Sequence, residues 1–274
     1  MQNILYCFDE NYNNQAITSM YSLLENTTKK LNFHIIHKNP GSFEKLLELV
    51  SNDESFNNAF LYKFENTDYN FPNVKNSHVS EATYYRMFIS DYIPDEFVDI
   101  LYVDPDVICI NPFNETIDEI NKELILRKLL IGVRTEHLRN DQNNEMFKRL
   151  SVNNKYFNAG VMLINLKLWK ENDFKNKLLK KSKLIEDMIK FWDQDVMNSE
   201  INGKYLEIPQ QLNQHPFEFP GSVVYYQKNT IFLHYSGKNK PWTKKGFPES
   251  NSIFYKDFYK DLFGKDFKIS RFKK

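Results

Sequence analysis

Four short apolar runs punctuate the first part of the chain, at residues 3–8, 33–37, 60–64 and 100–104, and helical patterning fills the gaps between them. Ile17, Met20 and Leu24 fall on one helical face, and Leu46, Leu47 and Val50 do so within a helix expected over 42–50. Ser80 stands where an N-cap is expected for a helix that runs to Tyr92 and is closed by Pro94. Strand and helix in alternation predict βαβ units. The expected fold class is therefore α/β, with a mostly parallel central sheet flanked by helices. Residues 107–110 read as further extended chain.

The second part is mixed. Strands are expected at 129–133, 161–164 and 231–234. A charged helix is expected over 173–190, with Leu178, Ile185 and Ile189 along its apolar stripe, and another begins after Asp193, itself a candidate N-cap. No repeat and no linker rich in Pro, Gly or Ser divides the 274 residues. One domain over 1–249 is expected, followed by an aromatic and basic helical appendage over 250–274. In that appendage Phe254, Tyr255, Phe258, Tyr259, Leu262, Phe263, Phe267 and Phe272 alternate with Lys256, Lys260, Lys265, Lys268, Arg271, Lys273 and Lys274. Such a segment either packs on the domain or anchors it to an anionic membrane surface.

Charge and cysteine content remove several function classes. The 36 basic and 36 acidic residues cancel, so no global field draws in nucleic acid, and a nucleic-acid partner is not expected. Cys7 and Cys109 sit inside apolar runs and suit neither a disulfide framework nor a thiolate zinc site. The N-terminus enters a strand-like run almost at once, unlike a signal peptide, and no apolar stretch approaches the ~20 residues of a spanning helix. The cytoplasm is the expected location, with peripheral contact at the inner face of the plasma membrane under the anchor reading.

None of the eight glycines lies two residues from another, which removes the G-x-G-x-x-G dinucleotide loop. The phosphate-cradling G-x-x-x-x-G-K-[ST] loop, the G-x-S-x-G elbow and the H-E-x-x-H zinc helix are also missing. A nucleotide bound by this chain would need another partner for its phosphates, and a metal ion is the natural substitute.

Two segments carry candidate chemistry. The run Ile100-Leu101-Tyr102-Val103 ends in Asp104-Pro105-Asp106. Ligands of α/β sheets bind beyond the carboxyl ends of strands, and two carboxylates there offer hard oxygen ligands for Mn²⁺ or Mg²⁺. The same spacing also arises where Pro105 and its flanking aspartates merely end a strand in a turn. The second segment is Phe232-Leu233-His234-Tyr235-Ser236-Gly237-Lys238-Asn239-Lys240-Pro241-Trp242. His234 can complete an oxygen-rich metal site, Gly237 lets backbone N–H groups approach a phosphate, and Lys240 supplies a point cation.

With these residues in place the chain resembles glycosyltransferase family 8, which includes bacterial lipopolysaccharide galactosyl- and glucosyltransferases and glycogenin. His234, Gly237, Lys240, Pro241 and Trp242 match the family's H-x-x-G-x-x-K-P-W element, and residues 156–165, Tyr156-Phe157-Asn158-Ala159-Gly160-Val161-Met162-Leu163-Ile164-Asn165, match its F-N-A-G element. Asp193-Gln194-Asp195 resembles its D-Q-D motif. The resemblance runs from Asp9 to Trp242.

The resemblance implies a GT-A fold, a UDP-hexose donor, a Mn²⁺ cofactor with Mg²⁺ as the alternative, and retention of anomeric configuration. Carried over by position, Asp104, Asp106 and His234 would hold the metal, and Lys240 and the Gly237 backbone would meet the diphosphate. Asp9 and Asn11 would hold uracil and ribose. Arg86 would reach the donor's sugar or phosphate, and Asn158, Ala159 and Asp193 would bind the donor's sugar. Gln194 would lie near the anomeric carbon, with Asp195 the nearest carboxylate in sequence for a covalent route. The acceptor would be a saccharide, glycolipid or glycoprotein.

Two departures stand out. Pro105 is unusual between the metal aspartates and removes a backbone donor. Where the family places a sugar-binding Asp, this chain reads Arg134-Thr135-Glu136-His137, which makes Glu136 the candidate substitute. Two other readings fit parts of the sequence. A haloacid-dehalogenase-type phosphohydrolase also places D-x-D after an apolar strand, and a non-catalytic nucleotide-sugar-binding protein would keep the pocket without turnover.

Overall fold

The computed structural model describes residues 1–65, 69–72, 80–219, 222–267 and 269. Nine strands form among them: β1 Gln2–Phe8, β2 Leu31–His37, β3 Phe56–Lys63, β4 Asp99–Val103, β5 Val107–Cys109, β6 Ile131–Leu138, β7 Lys155–Asn165, β8 Leu206–Glu207 and β9 Phe232–His234. Seven of them make one sheet in the order β3-β2-β1-β4-β7-β6-β8, and β5 pairs with β9 in a second, small sheet. In the large sheet β1 pairs in parallel with β2 and β4, β2 with β3, and β6 with β8; β7 runs antiparallel to both neighbours. The sheet is mixed with a parallel majority, as the alternation of the first part predicts.

Both faces of the sheet are buried, and β1 shows how. Ile4, Tyr6 and Phe8 enter one apolar core with Ile17, Met20 and Leu24 of the helix Asn13–Glu25. Leu5 and Cys7 enter the other, with Met87, Ile89, Leu178 and Met197. That is the period-two alternation of a strand covered on both sides. Helices therefore flank the sheet on each face.

Several boundaries differ from the expected ones. Residues 42–50 form only a 3-10 turn, Pro40–Ser42, and one helical turn, Glu44–Leu47, with no side-chain N-cap at either. The helix expected over 173–190 stops at Leu184, and a 3-10 turn Glu186–Met188 follows. Its predicted stripe of Leu178, Ile185 and Ile189 is buried nonetheless, because a 3-10 turn can carry side chains back to the same core. Ser80 does cap its helix by accepting from the Ala82 N–H, but the segment winds as 3-10 helix over Glu81–Phe88 before one α-turn, Ile89–Tyr92. Strands expected at 129–133 and 161–164 run as 131–138 and 155–165.

The C-terminal helix Ser252–Phe263 lies against the helix Asn13–Glu25. Tyr255 and Tyr259 are buried in a satellite cluster with Ile108, Tyr226, Leu233 and Tyr235, and Phe254, Phe258, Phe263 and Phe267 pack around it. The aromatic residues that could have served a membrane surface are thus largely turned onto the protein. Lys268, Arg271, Phe272, Lys273 and Lys274 of the expected anchor lie outside the described residues. Among the described residues no helix is long and apolar enough to cross a membrane.

Candidate active site

The carboxyl ends of β1 and β4 meet the small β5–β9 sheet over a cavity of ≈ 560 Å³. That is within the roughly 300–1,000 Å³ of small-molecule sites. Asp9, Tyr12, Arg86, Asp104, Asp106, Glu136, Asn158, Asp193, Gln194, His234, Gly237 and Lys240 all line it.

Backbone pairing explains why residues so far apart in sequence converge. Asp104 follows β4 and donates its N–H to the Gly160 carbonyl at 2.8 Å, extending the β4–β7 ladder to the F-N-A-G segment. Val107 then donates to the Asp104 carbonyl at 3.1 Å, closing a four-residue turn with Pro105 at its second position. Proline favours that position, since its fixed φ suits the turn and no N–H is needed there. Pro105 thus shapes the turn, and its missing donor leaves no gap. Directly after the turn, Val107 of β5 pairs with His234 of β9, and the Tyr235 N–H reaches the Asp106 carbonyl at 3.0 Å. This register sets His234 beside the two aspartates.

Ligand atoms of Asp104, Asp106 and His234 all lie within 4.8 Å of one another. His234 Nε2 is 3.3 Å from Asp106 Oδ1 and 3.9 Å from Asp104 Oδ2. Asp106 Oδ1 is buried and has no hydrogen-bond donor. Its other oxygen pairs with the buried Lys240 ammonium. Burial works to raise the Asp106 carboxyl, but the Lys240 ammonium beside it holds it well below the usual carboxylate range. The group is thus a carboxylate, with one oxygen open to a cation.

Glycine is required twice around this wall. Gly237 has φ +79°, in the left-handed region, with open space around it. At Gly160 a Cβ would overlap the His234 ring.

Arg86 lies under the opposite wall. Its Nη1 donates to Asp104 Oδ1 at 3.0 Å and to the Ala159 carbonyl at 2.8 Å. Its Nη2 donates to Thr83 Oγ1 at 3.0 Å and Asp193 Oδ1 at 3.1 Å, and Nε donates to Asp193 Oδ2. Those contacts use all five N–H groups of a guanidinium. The expectation that Arg86 reaches the donor therefore meets an arginine already committed to the protein. Asp193 is likewise not an N-cap: it sits inside the first turn of the helix Trp192–Ile201, and its carboxylate takes Thr83 and Arg86 instead. Burial raises the Asp193 carboxyl, and Arg86 opposes that rise.

Gln194 accepts the Ala159 N–H at 3.0 Å and turns its amide nitrogen toward Tyr156 Oη, at 3.2 Å, and Glu136 Oε2, at 3.4 Å. Glu136 is the extra residue of a β-bulge: Thr135 pairs with Phe157 and His137 with Tyr156, leaving Glu136 unpaired. A bulge re-aims a side chain, and here the carboxylate lines the cavity.

Three expected residues are not on the wall. Asp195 is fully buried and accepts from Tyr156 Oη, Arg149 Nη1 and the Lys190 and Phe191 N–H groups. Ala159 spends its backbone on Arg86 and Gln194. Asn11 is not a lining residue, and its N–H donates to Asp9 Oδ1 at 3.0 Å, capping the 3-10 turn Glu10–Tyr12. Conversely, Tyr12, Trp192 and Phe217 line the cavity without having been singled out. Trp192 stands at φ 45°, a strained conformation for a bulky side chain and the kind found at functional sites. Three strands precede the strand that ends in the aspartate pair, and His234 and Lys240 join that pair; the phosphohydrolase alternative accounts for neither.

Known proteins resemble this arrangement across its length. Lipopolysaccharide 1,2-glucosyltransferase of Escherichia coli is 29% identical over 260 residues, which span 88% of this chain and 73% of that protein. Lipopolysaccharide 1,3-galactosyltransferase of Salmonella typhimurium is 28% identical over 256 residues, 89% of this chain and 74% of that protein. The crystal structure of galactosyltransferase LgtC in complex with donor and acceptor sugar analogs superimposes with a TM-score of 0.77 at 21% identity, covering 95% of this chain and 96% of that one. At that identity the likeness establishes a shared fold, the GT-A fold expected from the sequence. The sequence model of Glycosyl transferase family 8 matches residues 3–246, and the chain belongs to that family.

Proposed function

We propose that the chain is a divalent-metal-dependent hexosyltransferase. It takes glucose or galactose from a UDP-sugar and delivers it, with retention of configuration, to a saccharide, glycolipid or glycoprotein. One observation carries this reading: Asp104, Asp106 and His234 bring ligand atoms within 4.8 Å of one another, and Asp106 Oδ1 is buried there without a donor. A set of carboxylate oxygens and one imidazole suits Mn²⁺ or Mg²⁺ better than softer metals. The relatives named as glucosyl- and galactosyltransferases of lipopolysaccharide support a hexose donor and a saccharide acceptor.

When bound, the ion supplies positive charge to the diphosphate leaving group. The chain's own residues do the rest. The Lys240 ammonium supplies a further positive charge at the same wall, where low solvent access strengthens it, and the Gly237 backbone can approach a phosphate closely. Asp9 and Tyr12 line the part of the cavity next to β1, the place for the nucleoside. Asn158, Asp193 and Glu136 take the sugar hydroxyls, and Gln194 lies nearest the anomeric carbon. Arg86 neutralises Asp104 and Asp193 and fixes their orientation. Asp195, held by its four donors, positions the segment around Lys190 and Phe191; this supports a retaining route that does not use it as nucleophile. The packed aromatic side of the C-terminal helix leaves an anionic membrane mainly its exposed residues, such as Ile253 and Lys260, to contact.

Incubation with a panel of UDP-sugars, with and without Mn²⁺, tests the reading through UDP release. Slow Mn²⁺-dependent transfer to water from UDP-glucose or UDP-galactose is the expected result. Binding without any turnover would favour the non-catalytic nucleotide-sugar-binding alternative, and neither binding nor turnover would refute the proposal.

A further inference from the structure

A metal ligand must offer a lone pair, and an imidazole has two nitrogens that could offer it. Which nitrogen of His234 does so is decided by a chain of hydrogen bonds that ends in a backbone amide. The Gly160 N–H can only donate, and it donates to the side-chain oxygen of Asn158 at 2.9 Å. The end of Asn158 that faces inward is therefore its carbonyl. The atom of Asn213 lying 3.0 Å from that same oxygen must donate, so it is the amide nitrogen. That orients the other end of Asn213 as its oxygen, 2.9 Å from His234 Nδ1. Facing an acceptor, Nδ1 must carry the proton. His234 Nε2 is then the nitrogen with the open lone pair, and it is the one aimed at Asp104 and Asp106.

We propose that Asn213 is a positioning residue of the metal site. Relaying the polarity of the Gly160 amide through Asn158, it locks His234 as the Nδ1–H tautomer. The inference rests on the metal reading of Asp104, Asp106 and His234. Every member is buried, so water cannot easily substitute for a missing partner. Reversing Asn158 would set donor against donor, and reversing Asn213 would set oxygen against oxygen, faults that cost roughly 1–3 kcal/mol when buried. Asn213 is itself held in place: its N–H donates to the Gln210 carbonyl at 3.0 Å, and its carbonyl accepts from Arg134. The next residue, Gln214, bridges to Leu233 of β9. Partners of this kind behind a metal-bound histidine typically change metal affinity 10–100-fold when removed.

The relay also ties the metal ligand to a residue proposed to meet the donor sugar. Asn158 spends its oxygen inward, on Gly160 and Asn213, and keeps its amide N–H groups for the cavity side, where Glu136 Oε2 stands 3.5 Å away. Asn158 can therefore only donate to a sugar oxygen.

Two measurements test the relay. In protein labelled with ¹⁵N at histidine, long-range ¹H–¹⁵N correlation above the imidazole titration range reads the tautomer of His234 directly, with the peak assigned by its loss in His234→Gln. The expected result is a protonated Nδ1 and an unprotonated Nε2 in the wild type, and a mixture of tautomers in Asn213→Leu. Binding of Mn²⁺ alone, followed by the electron paramagnetic resonance of the free ion, should weaken by about 10–100-fold in Asn213→Leu. A wild-type His234 protonated at Nε2 would overturn the relay without any variant having to fold. So would an Asn213→Leu protein that keeps both the tautomer and the wild-type Mn²⁺ affinity. A wild type that shows the Nδ1–H form yet binds no Mn²⁺ would instead keep the relay and refute the metal reading.

Discussion

Gly160 serves the site in three ways. Its carbonyl receives the Asp104 N–H, its own N–H orients Asn158, and its missing side chain makes room for the His234 ring. Gly160→Ala should displace the imidazole and weaken Mn²⁺ binding at least about tenfold, judged by the usual cost of disturbing a metal ligand's surroundings. An alanine variant that binds Mn²⁺ with wild-type affinity would show that His234 is not where metal binding is decided. At this scale the sequence was legible where chemistry is contiguous. The aspartate pair and the His-Gly-Lys-Pro-Trp element could be read directly, because each is a compact run at a strand end. Asn213 could not, since it lies in an irregular connection with no periodicity and its role arises from orientation in three dimensions. Arg86 was singled out by the resemblance as reaching the donor, but only the structure shows that its five N–H groups are spent on Asp104, Asp193, Thr83 and Ala159.

Among the elements, the small β5–β9 sheet and the C-terminal helix form one unit with the site. Trp242 ends the segment that carries Lys240, and its ring packs between Tyr12, 6.2 Å away, and Tyr255 of the C-terminal helix, 4.9 Å away. Tyr235, next to His234, donates its hydroxyl to the Asn251 carbonyl, and Ser252 Oγ donates to the Gly246 carbonyl at 2.6 Å. Gly246 in turn presses against the Lys240 carbonyl too closely for any side chain. The C-terminal helix is therefore a brace. Tyr255→Ala should cost about 3–5 kcal/mol, the range for removing a buried aromatic ring, and should lower turnover by loosening Lys240. Thermal melting and the UDP-release rate, measured together, check it; an unchanged rate in the folded variant would separate the helix from the site. The β-bulge at Glu136 is a device of the same scale. The sequence pointed to Glu136 by position, but a bulge is a fault of register between two strands and leaves no periodic trace. The helix over 173–190 shows the opposite case. Its apolar spacing correctly marked what is buried, while the break after Leu184 depends on local winding that spacing does not encode.

Over the whole molecule, the alternating pattern of the first part translated into the parallel half of the sheet, and the antiparallel β7 came from the less regular second part. His34 is buried in β2 against Phe60 and Phe97, with ring centroids 4.8 and 4.5 Å away, and burial lowers its imidazole to about 4 from 6.5. The folded state therefore resists a proton that the unfolded chain accepts. Stability from this residue is complete above about pH 6.5 and is lost as pH falls toward 4, an effect of up to ~3 kcal/mol. His34→Phe should flatten the fall in melting temperature between about pH 7 and pH 4.5. A variant that melts in parallel with the wild type would show that His34 does not drive acid sensitivity.

Under the proposed function, one cavity wall holds a divalent ion and a nucleoside diphosphate together. Calorimetric titration with UDP, with and without Mn²⁺, on the wild type and on Asp106→Ala, tests it most directly. UDP should bind at least about tenfold tighter with Mn²⁺, a gain of ~1.4 kcal/mol or more, and show no such gain in Asp106→Ala. Equal UDP affinity with and without Mn²⁺ in the wild type, or a full Mn²⁺ gain retained in Asp106→Ala, would contradict it.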